Sequence, residues 1–527
     1  MSTPQVSQWN IAECLRSSAK RFPDKVALKS KKRNLTYARL DNRTDQLART
    51  LMDMGLNKGD KCAFMTHNSI ETVEIFMGLA KTGIVGVPIN FRNTEKEIQH
   101  LASHSEAKAF IIEDTFLDRI SWLSETDIQK QQVLQIGGQD HEYPLYEKEL
   151  SARPDTPVEI DIQEDDVWYI GYTSGTTDKP KGVETRHRAL LQNATQWMAD
   201  YGRYTEDDRF LLTMPLFHAN AIMCSLLMII AGGYTYINHS RGFNPEEILS
   251  LINREKITIT SMVPTMLTLL IGLSEDVAKK YDRSTLQNIL VASAPLWTSI
   301  KEGTLNFFKD VNLYEAYGST EHQIVTVLKP KYQWSKIRSI GKPVIYKDVK
   351  ILDMRGNECP PGVPGELFVR GWGIPLEEYY KDPEATRNAY REGWSTVSDI
   401  AVMDEEGFYY LVDRKHDMII SGGENVSPSE LENHIVLHPA VHEAAVIGQP
   451  DCKWGEAITA VIVLKKNARA TADEIQQFCR GKMAEFKVPK YVVFAEDLPK
   501  NATGKILRKK IREPFWKHHN EGGNSVI

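Results

Sequence analysis

The sequence predicts a mixed α/β architecture: a large α/β body, a small antiparallel or barrel-like unit, and a compact α+β segment at the C-terminal end. Three observations carry this. Helical and strand periods alternate along the first part of the chain. The texture changes to short strands and tight turns after Pro343. A helix–strand mixture then returns beyond the run Asp413-Arg414-Lys415-His416-Asp417.

In the body, residues 40–54 repeat apolar positions at helical spacing and stop at Gly55. Residues 61–65 form an apolar run of strand length, 70–81 read as a helix ended by Gly83, and 84–89 are apolar again. Strand, helix and strand in that order make a βαβ unit and a largely parallel sheet. The alternation recurs with strands at 210–213, 234–238, 258–261 and 289–292. After Pro343, residues 349–353, 365–370 and 407–412 are short strands separated by turns such as Pro360-Pro361-Gly362-Val363-Pro364-Gly365, as in an antiparallel or barrel-like unit. The last segment, about 110 residues and so within ordinary domain size, offers helices at 429–437 and 472–483 and strands at 441–447 and 458–464.

Bulk properties narrow the function. The chain has 527 residues, room for two or three cores, and 42% hydrophobic residues, which excludes a disordered protein. A net charge of -6 argues against a nucleic-acid partner, which calls for a basic surplus or stripe. The first residues show no basic stretch followed by an apolar core, so no secretory leader is expected. The longest apolar run, 221–233, is interrupted by Ser225 and falls short of the roughly 20 residues of a membrane span. Six cysteines (Cys14, Cys62, Cys224, Cys359, Cys452 and Cys479) contain no CxxC pair and read as free thiols of a reducing compartment. A cytoplasmic location is expected.

The chemistry-bearing stretch is 167–182, VWYIGYTSGTTDKPKG. An apolar strand runs into a loop with Thr173, Ser174, Gly175, Thr176 and Thr177, then Lys179, Lys181 and Gly182. Hydroxyls and close backbone N–H groups after a strand make a concave donor set for phosphate oxygens, and glycine removes the side chain that blocks approach. Neither GxxxxGK[ST] nor GxGxxG occurs in the chain, so phosphate is bound by another scheme.

Residues 172–182 resemble the phosphate signature of the adenylate-forming superfamily, which holds acyl- and aryl-CoA ligases, peptide-synthetase adenylation domains and beetle luciferases. Further segments recur in family order: Tyr317-Gly318-Ser319-Thr320-Glu321, then Asp399 in the run 393–399, then Asp413-Arg414, then Pro499-Lys500-Asn501-Ala502-Thr503-Gly504-Lys505. The likeness extends from Leu35-Thr36-Tyr37 to Lys505, and its tone is nearest to free-standing acyl-CoA ligases of the crotonobetaine/carnitine or fatty-acyl branch.

The resemblance implies a body over 1–413, built of two α/β sheet subdomains and a small β-barrel-like subdomain. It implies a hinge at 414–417 and a small mobile α+β lid over 418–527. It implies ATP, Mg2+ and coenzyme A as cofactors, with a small-molecule carboxylic acid as partner and a homodimer allowed. In the implied roles Thr173 and Glu321 hold the metal, and Thr173, Ser174, Gly175, Thr176, Thr177 and Lys181 bind phosphates. Ser293, Ala294, Pro295, Glu315, Ala316, Tyr317, Gly318, Ser319 and Thr320 surround the adenine, and Asp399 and Arg414 take the ribose side. Lys505 bridges the carboxylate and the α-phosphate, and His218 is an aromatic gate between acyl pocket and thiol channel. His416 is the hinge, and Gly422, Gly423 and Glu424 shape the thiol tunnel in the second lid pose.

The residue types suit that chemistry on their own terms. Joining a carboxylate to the α-phosphorus of ATP and expelling pyrophosphate requires positive charge and donors placed where charge develops. Magnesium prefers one or two carboxylates with phosphate oxygens and water, and a flexible lysine delivers a point charge. The acid pocket is expected along 217–220, 263–266 and 292–294, with His218, Asn220, Val263 and Thr265 as walls. No Arg or Lys lies there, so a dicarboxylate is disfavoured, while short to medium acyl, aryl and carnitine-like acids stay open.

Three places depart from the family pattern. The turn commonly written Gly-Gly-Ala-Pro reads Ala292-Ser293-Ala294-Pro295, which restricts positive φ and narrows the pocket wall. The Thr-Gly before the ribose-side acid reads Val397-Ser398. The hinge is His416, either an ordinary polar hinge residue or one whose charge change near about pH 6–7 biases the lid. The function expected is acid:CoA ligation through an acyl-adenylate. The rivals are an enzyme that loads a carrier protein and a nucleotide binder without chemistry.

Overall fold

The computed structural model describes residues 9–138, 142–173, 180–202, 204–239, 242–294, 296–414, 417–421, 424–451, 454–480, 482–483, 487–500 and 506–520. Among these residues the strands form four sheets.

The first sheet runs in the order Val133–Ile136, Ala107–Glu113, Lys61–Met65, Val85–Pro88, Val167–Thr173, Lys181–Arg186. Its strands are parallel up to the last pair, which is an antiparallel hairpin with Thr173 opposite Lys181. The βαβ logic is visible in the helix Ile70–Thr82. Ser69 caps its first turn by accepting from the Thr72 N–H, and Gly83 ends it at φ 68°, where a residue with a Cβ would be strained. The second sheet has nine strands and is parallel across its centre, from Asn312–Ser319 through Asn288–Val291, Ile259–Met262, Arg209–Leu212 and Tyr234–Ile237 to Val26–Lys29. Antiparallel strands close both edges. Helices Tyr37–Asp53, Ile70–Thr82 and Ala219–Ala231 lie between the two sheets in one continuous apolar core. The long apolar run of the sequence is therefore a buried helix, and among the described residues no helix is long and apolar enough to cross a membrane.

The third sheet is antiparallel and includes Lys347–Leu352, Gly365–Gly371, Asp399–Met403 and Tyr409–Arg414. The fourth belongs to the C-terminal unit, where the long hairpin Val441–Asp451/Gly455–Leu464 is covered by helices Pro428–Ile435, Ala472–Cys479 and Arg508–Asn520. The helix expected over 472–483 stops at Cys479, because Arg480 takes an extended backbone at ψ 144°. The architecture is the mixed α/β body with a small C-terminal domain that the alternating pattern predicts.

Candidate active site

A cavity of about 1190 Å³ opens where the ends of the first two sheets, the antiparallel sheet and the C-terminal unit meet. Close backbone approach builds it. Gly171 has no side chain, and a Cβ there would press on Thr320 at 3.1 Å. Gly318 lies against the Gln323 carbonyl so tightly that any side chain would overlap it. The hairpin Val167–Thr173/Lys181–Arg186 brings Thr173 and Lys181 to one rim, and the strand Asn312–Ser319 carries Ala316, Tyr317, Gly318 and Ser319 to another, followed by Thr320 and Glu321.

Three polar arrangements define the chemistry of the rim. The Tyr317 hydroxyl donates to Asp399 Oδ2 at 2.6 Å, so the aromatic and the acid form one buried unit. Glu321 is 8% exposed, and Tyr379 donates its hydroxyl to Glu321 Oε1 at 3.1 Å. Thr173 Oγ1 is buried with no hydrogen-bond partner among the described residues, an oxygen left for a ligand. Among the described residues, a nearly buried carboxylate with one oxygen still available and an unpartnered hydroxyl make the hard oxygen donor set that magnesium takes alongside phosphate and water.

Another wall of the cavity is formed by Trp197, His218, Ala219, Asn220 and Met223. Burial, with Arg92 second, lowers the His218 imidazole to about 4, so it is neutral at physiological pH. Asn220 Oδ1 accepts from Ser261 Oγ at 2.9 Å, and Trp197 stacks on Tyr201 at 4.5 Å to end the pocket in aromatic surface. The C-terminal unit contributes Val446, Ile447, Gly448 and the stretch Ile506, Leu507, Arg508.

Thr173, Lys181, His218, Asn220, Ser293, Ala316, Tyr317, Gly318, Ser319, Thr320 and Glu321 thus border one cavity, with Asp399 joined to it through Tyr317. Four expectations are corrected. Glu315 turns its carboxylate to the buried Lys301 at 2.5 Å and does not reach the wall. Val263 is buried in the core beneath the pocket, Thr265 is exposed on the following helix, and Ala294 stands outside the wall. The expected restriction of positive φ is corrected as well: Ser293 itself adopts φ 73°, and Ser398 adopts φ 63°, so both departures keep the left-handed backbone without glycine. Ser174, Gly175, Thr176, Thr177, Pro295, His416, Gly422, Gly423 and Lys505 lie outside the described residues. The backbone of Arg414 pairs with Asp399, and that of Glu424 pairs with Ser421. Trp197, Met223 and Tyr379 escape sequence reasoning because each reaches the site by a tertiary contact that leaves no local pattern.

Residues 15–380 match the AMP-binding enzyme family, and residues 430–505 match the AMP-binding enzyme C-terminal domain. The chain is 33% identical over 498 residues to a feruloyl-CoA synthase of an Amycolatopsis species, covering 94% of this chain and 97% of the relative. It is 34% identical over 485 residues to the long-chain-fatty-acid–CoA ligase FadD13 of Mycobacterium tuberculosis, covering 91% and 93%. The crystal structure of the anthranilate CoA ligase AuaEII in complex with anthranoyl-AMP superimposes with a TM-score of 0.89 at 28% identity, covering 96% and 97%. With two family segments matched in order and CoA-forming relatives aligned along nearly its whole length, the chain belongs to the AMP-binding enzymes as an AMP-forming acid:CoA ligase.

Proposed function

We propose that this one cavity serves both half-reactions of the ligase, first the acyl-adenylate and then the thioester. ATP lies with its adenine against Tyr317 and its ribose hydroxyls toward Asp399. Lys181 and Thr173 take the phosphates. Glu321 with Thr173 would hold magnesium, which would supply positive charge beside the phosphates. Lys505 supplies positive charge between the attacking carboxylate and the α-phosphate. After the C-terminal unit, 418–527, rotates about 414–417, the coenzyme A thiol gives up its proton and bonds to the adenylate carbonyl as the bond to AMP breaks and AMP leaves. The observation that supports this reading best is convergence: the hairpin end, the Tyr317–Asp399 pair, Glu321 and the stretch beginning at Ile506 all bear on the same space.

The acid is an uncharged aryl or medium-length acyl acid. The walls Trp197, His218, Ala219, Asn220 and Met223 are apolar or neutral and offer no cation to a second carboxylate. Acid-dependent ATP–pyrophosphate exchange over an acid panel, followed by mass detection of the CoA thioester, tests the whole reading. Exchange that needs no acid, or an adenylate never passed to CoA, would overturn it. Lys505→Ala should lower exchange about 10²–10³-fold, as for one transition-state donor, and leave thioester formation from supplied adenylate intact. Equal loss in both halves would make Lys505 structural.

A further inference from the structure

We propose that Tyr379 is a positioning residue that orients Glu321 and Lys181 together and keeps the two from neutralising each other, an inference that rests on the site reading above. Tyr379 is 5% exposed and touches both groups in different ways. Its hydroxyl donates to Glu321 Oε1 at 3.1 Å, and its ring face carries the Lys181 ammonium 5.0 Å from the centroid. Lys181 and Glu321 form no ion pair with each other among the described residues, although they line one cavity.

The backbone holds this ring from several directions. The Leu376 N–H donates to the Glu321 carbonyl at 3.0 Å, and the Tyr380 N–H donates to the Gly182 carbonyl at 2.8 Å. Val183 and Tyr379 form an antiparallel bridge, and the Tyr379 N–H donates to Thr386 Oγ1 at 2.9 Å. The segment 376–380 is therefore a strap tied at one end to the Glu321 loop and at the other to the strand that begins at Lys181. Gly182 leaves room for it, since a Cβ there would lie 3.2 Å from Tyr380 Cβ.

The physical consequence follows from the charges. A carboxylate and an ammonium in a half-buried site attract strongly, and a direct pair would leave neither free for its ligand. The phenol hydroxyl occupies one lone pair of Glu321 and leaves the second oxygen for a hard cation. The ring quadrupole attracts Lys181 without accepting a directed N–H bond, so the ammonium donors remain for phosphate oxygens. Tyr379 thus separates the metal function from the phosphate function while fixing both.

Calorimetric binding of the non-hydrolysable ATP analogue AMPCPP to the full chain, with Mg2+ and with EDTA, tests this independently of turnover. Tyr379→Phe keeps the ring and should weaken Mg2+-dependent binding about tenfold, the usual cost of removing an outer partner of a metal ligand, with metal-free binding unchanged. Tyr379→Leu should in addition weaken metal-free binding about fivefold through loss of the cation–π contact. Tyr379→Phe with wild-type Mg2+ dependence, or Tyr379→Leu indistinguishable from Tyr379→Phe without metal, would overturn the inference while leaving the ligase reading standing. A wild-type chain that binds the analogue under neither condition would overturn both.

Discussion

Tyr317 and Asp399 are joined by a 2.6 Å hydrogen bond from phenol to carboxylate, which ties the strand Asn312–Ser319 of the nine-stranded sheet to the strand Asp399–Met403 of the antiparallel sheet. The two residues stand 82 positions apart in the chain and act as one wall. Tyr317→Phe keeps the ring face for stacking and removes only the donor that orients the acid. A hydrogen bond to a charged group is worth about 1.5–3 kcal/mol, so the KM for ATP in pyrophosphate exchange should rise at least about tenfold. The KM for the acid should stay as it is, and a parallel rise in both would show that Tyr317 supports the whole pocket.

Ser293 and Ser398 occupy the left-handed region that favours glycine, and at Ser398 this predicts one stabilising and one destabilising substitution. An L-residue there pays about 1–2 kcal/mol that glycine avoids, offset in part by glycine's extra chain entropy of about 0.5–1 kcal/mol. The Ser398 turn is held by its own N–H donating to Thr396 Oγ1 at 2.9 Å, a bond that any residue at 398 retains. Ser398→Gly should raise unfolding free energy by up to about 1 kcal/mol, and Ser398→Val should lower it by about 2 kcal/mol, since a β-branched residue at positive φ is a true outlier. Urea midpoints at constant slope measure both. Equal midpoints for Gly and Val would show that the turn has relaxed away from positive φ.

The buried pair Lys301–Glu315 is structural, and its substitutions separate pairing from burial. Lys301 is 1% exposed, and burial pushes the Glu315 carboxyl up while Lys301 pulls it down. Lys301→Met leaves an unpaired buried carboxylate and should cost about 3–5 kcal/mol. The double variant Lys301→Met/Glu315→Leu should recover most of that loss, because an apolar pair of similar volume is close to neutral. Denaturant melts of the three proteins check it; a double variant no better than the single would mean that packing around Lys301 matters more than charge.

The alternating body was legible because each βαβ unit declares itself locally: an apolar run of strand length, a stretch of helical spacing, a Gly83-type stop. The order of the nine strands was not, since strand neighbours such as Val26–Lys29 and Tyr234–Ile237 are about two hundred residues apart and share no local signal. At the site, Thr173, Lys181, Tyr317 and Glu321 could be read because they sit in short ordered segments that resemble a family. Val263 and Thr265 were misplaced because the helix Pro264–Ile271 begins at that point and turns one side chain into the core and the other to solvent. Glu315 was misread for a related reason, since a segment can match a family pattern while one of its side chains answers to a buried lysine behind the sheet. Ser293 and Ser398 show that residue identity constrains backbone less strictly than composition rules imply, provided the surrounding structure holds the turn.

Acid lability should follow from three buried, neutral histidines, His187, His218 and His322, the last lowered by burial to about 3. His187 is 0% exposed, and its Nδ1 accepts the Ile11 N–H at 3.2 Å, a contact that requires that nitrogen to be unprotonated. Burial, with Lys58 assisting and Asp166 opposing, lowers His187 to about 4, and burial lowers His218 to about 4 as well. In the unfolded chain a histidine titrates near about 6.5. Between these values the unfolded state binds more protons than the folded one, so stability rises with pH through this window and is lost as pH falls from about 6.5 toward 4. Each histidine contributes a slope of up to about 1.4 kcal/mol per pH unit there and nothing above about pH 7. His187→Asn presents a non-titrating oxygen to the Ile11 N–H and should remove about a third of the slope due to these three histidines, leaving stability at pH 8 within about 1 kcal/mol of the parent. Urea midpoints from pH 4 to 8 measure the difference. An unchanged slope in the variant would mean that His187 is already protonated in the folded protein, against the direction its burial and its bond to Ile11 require.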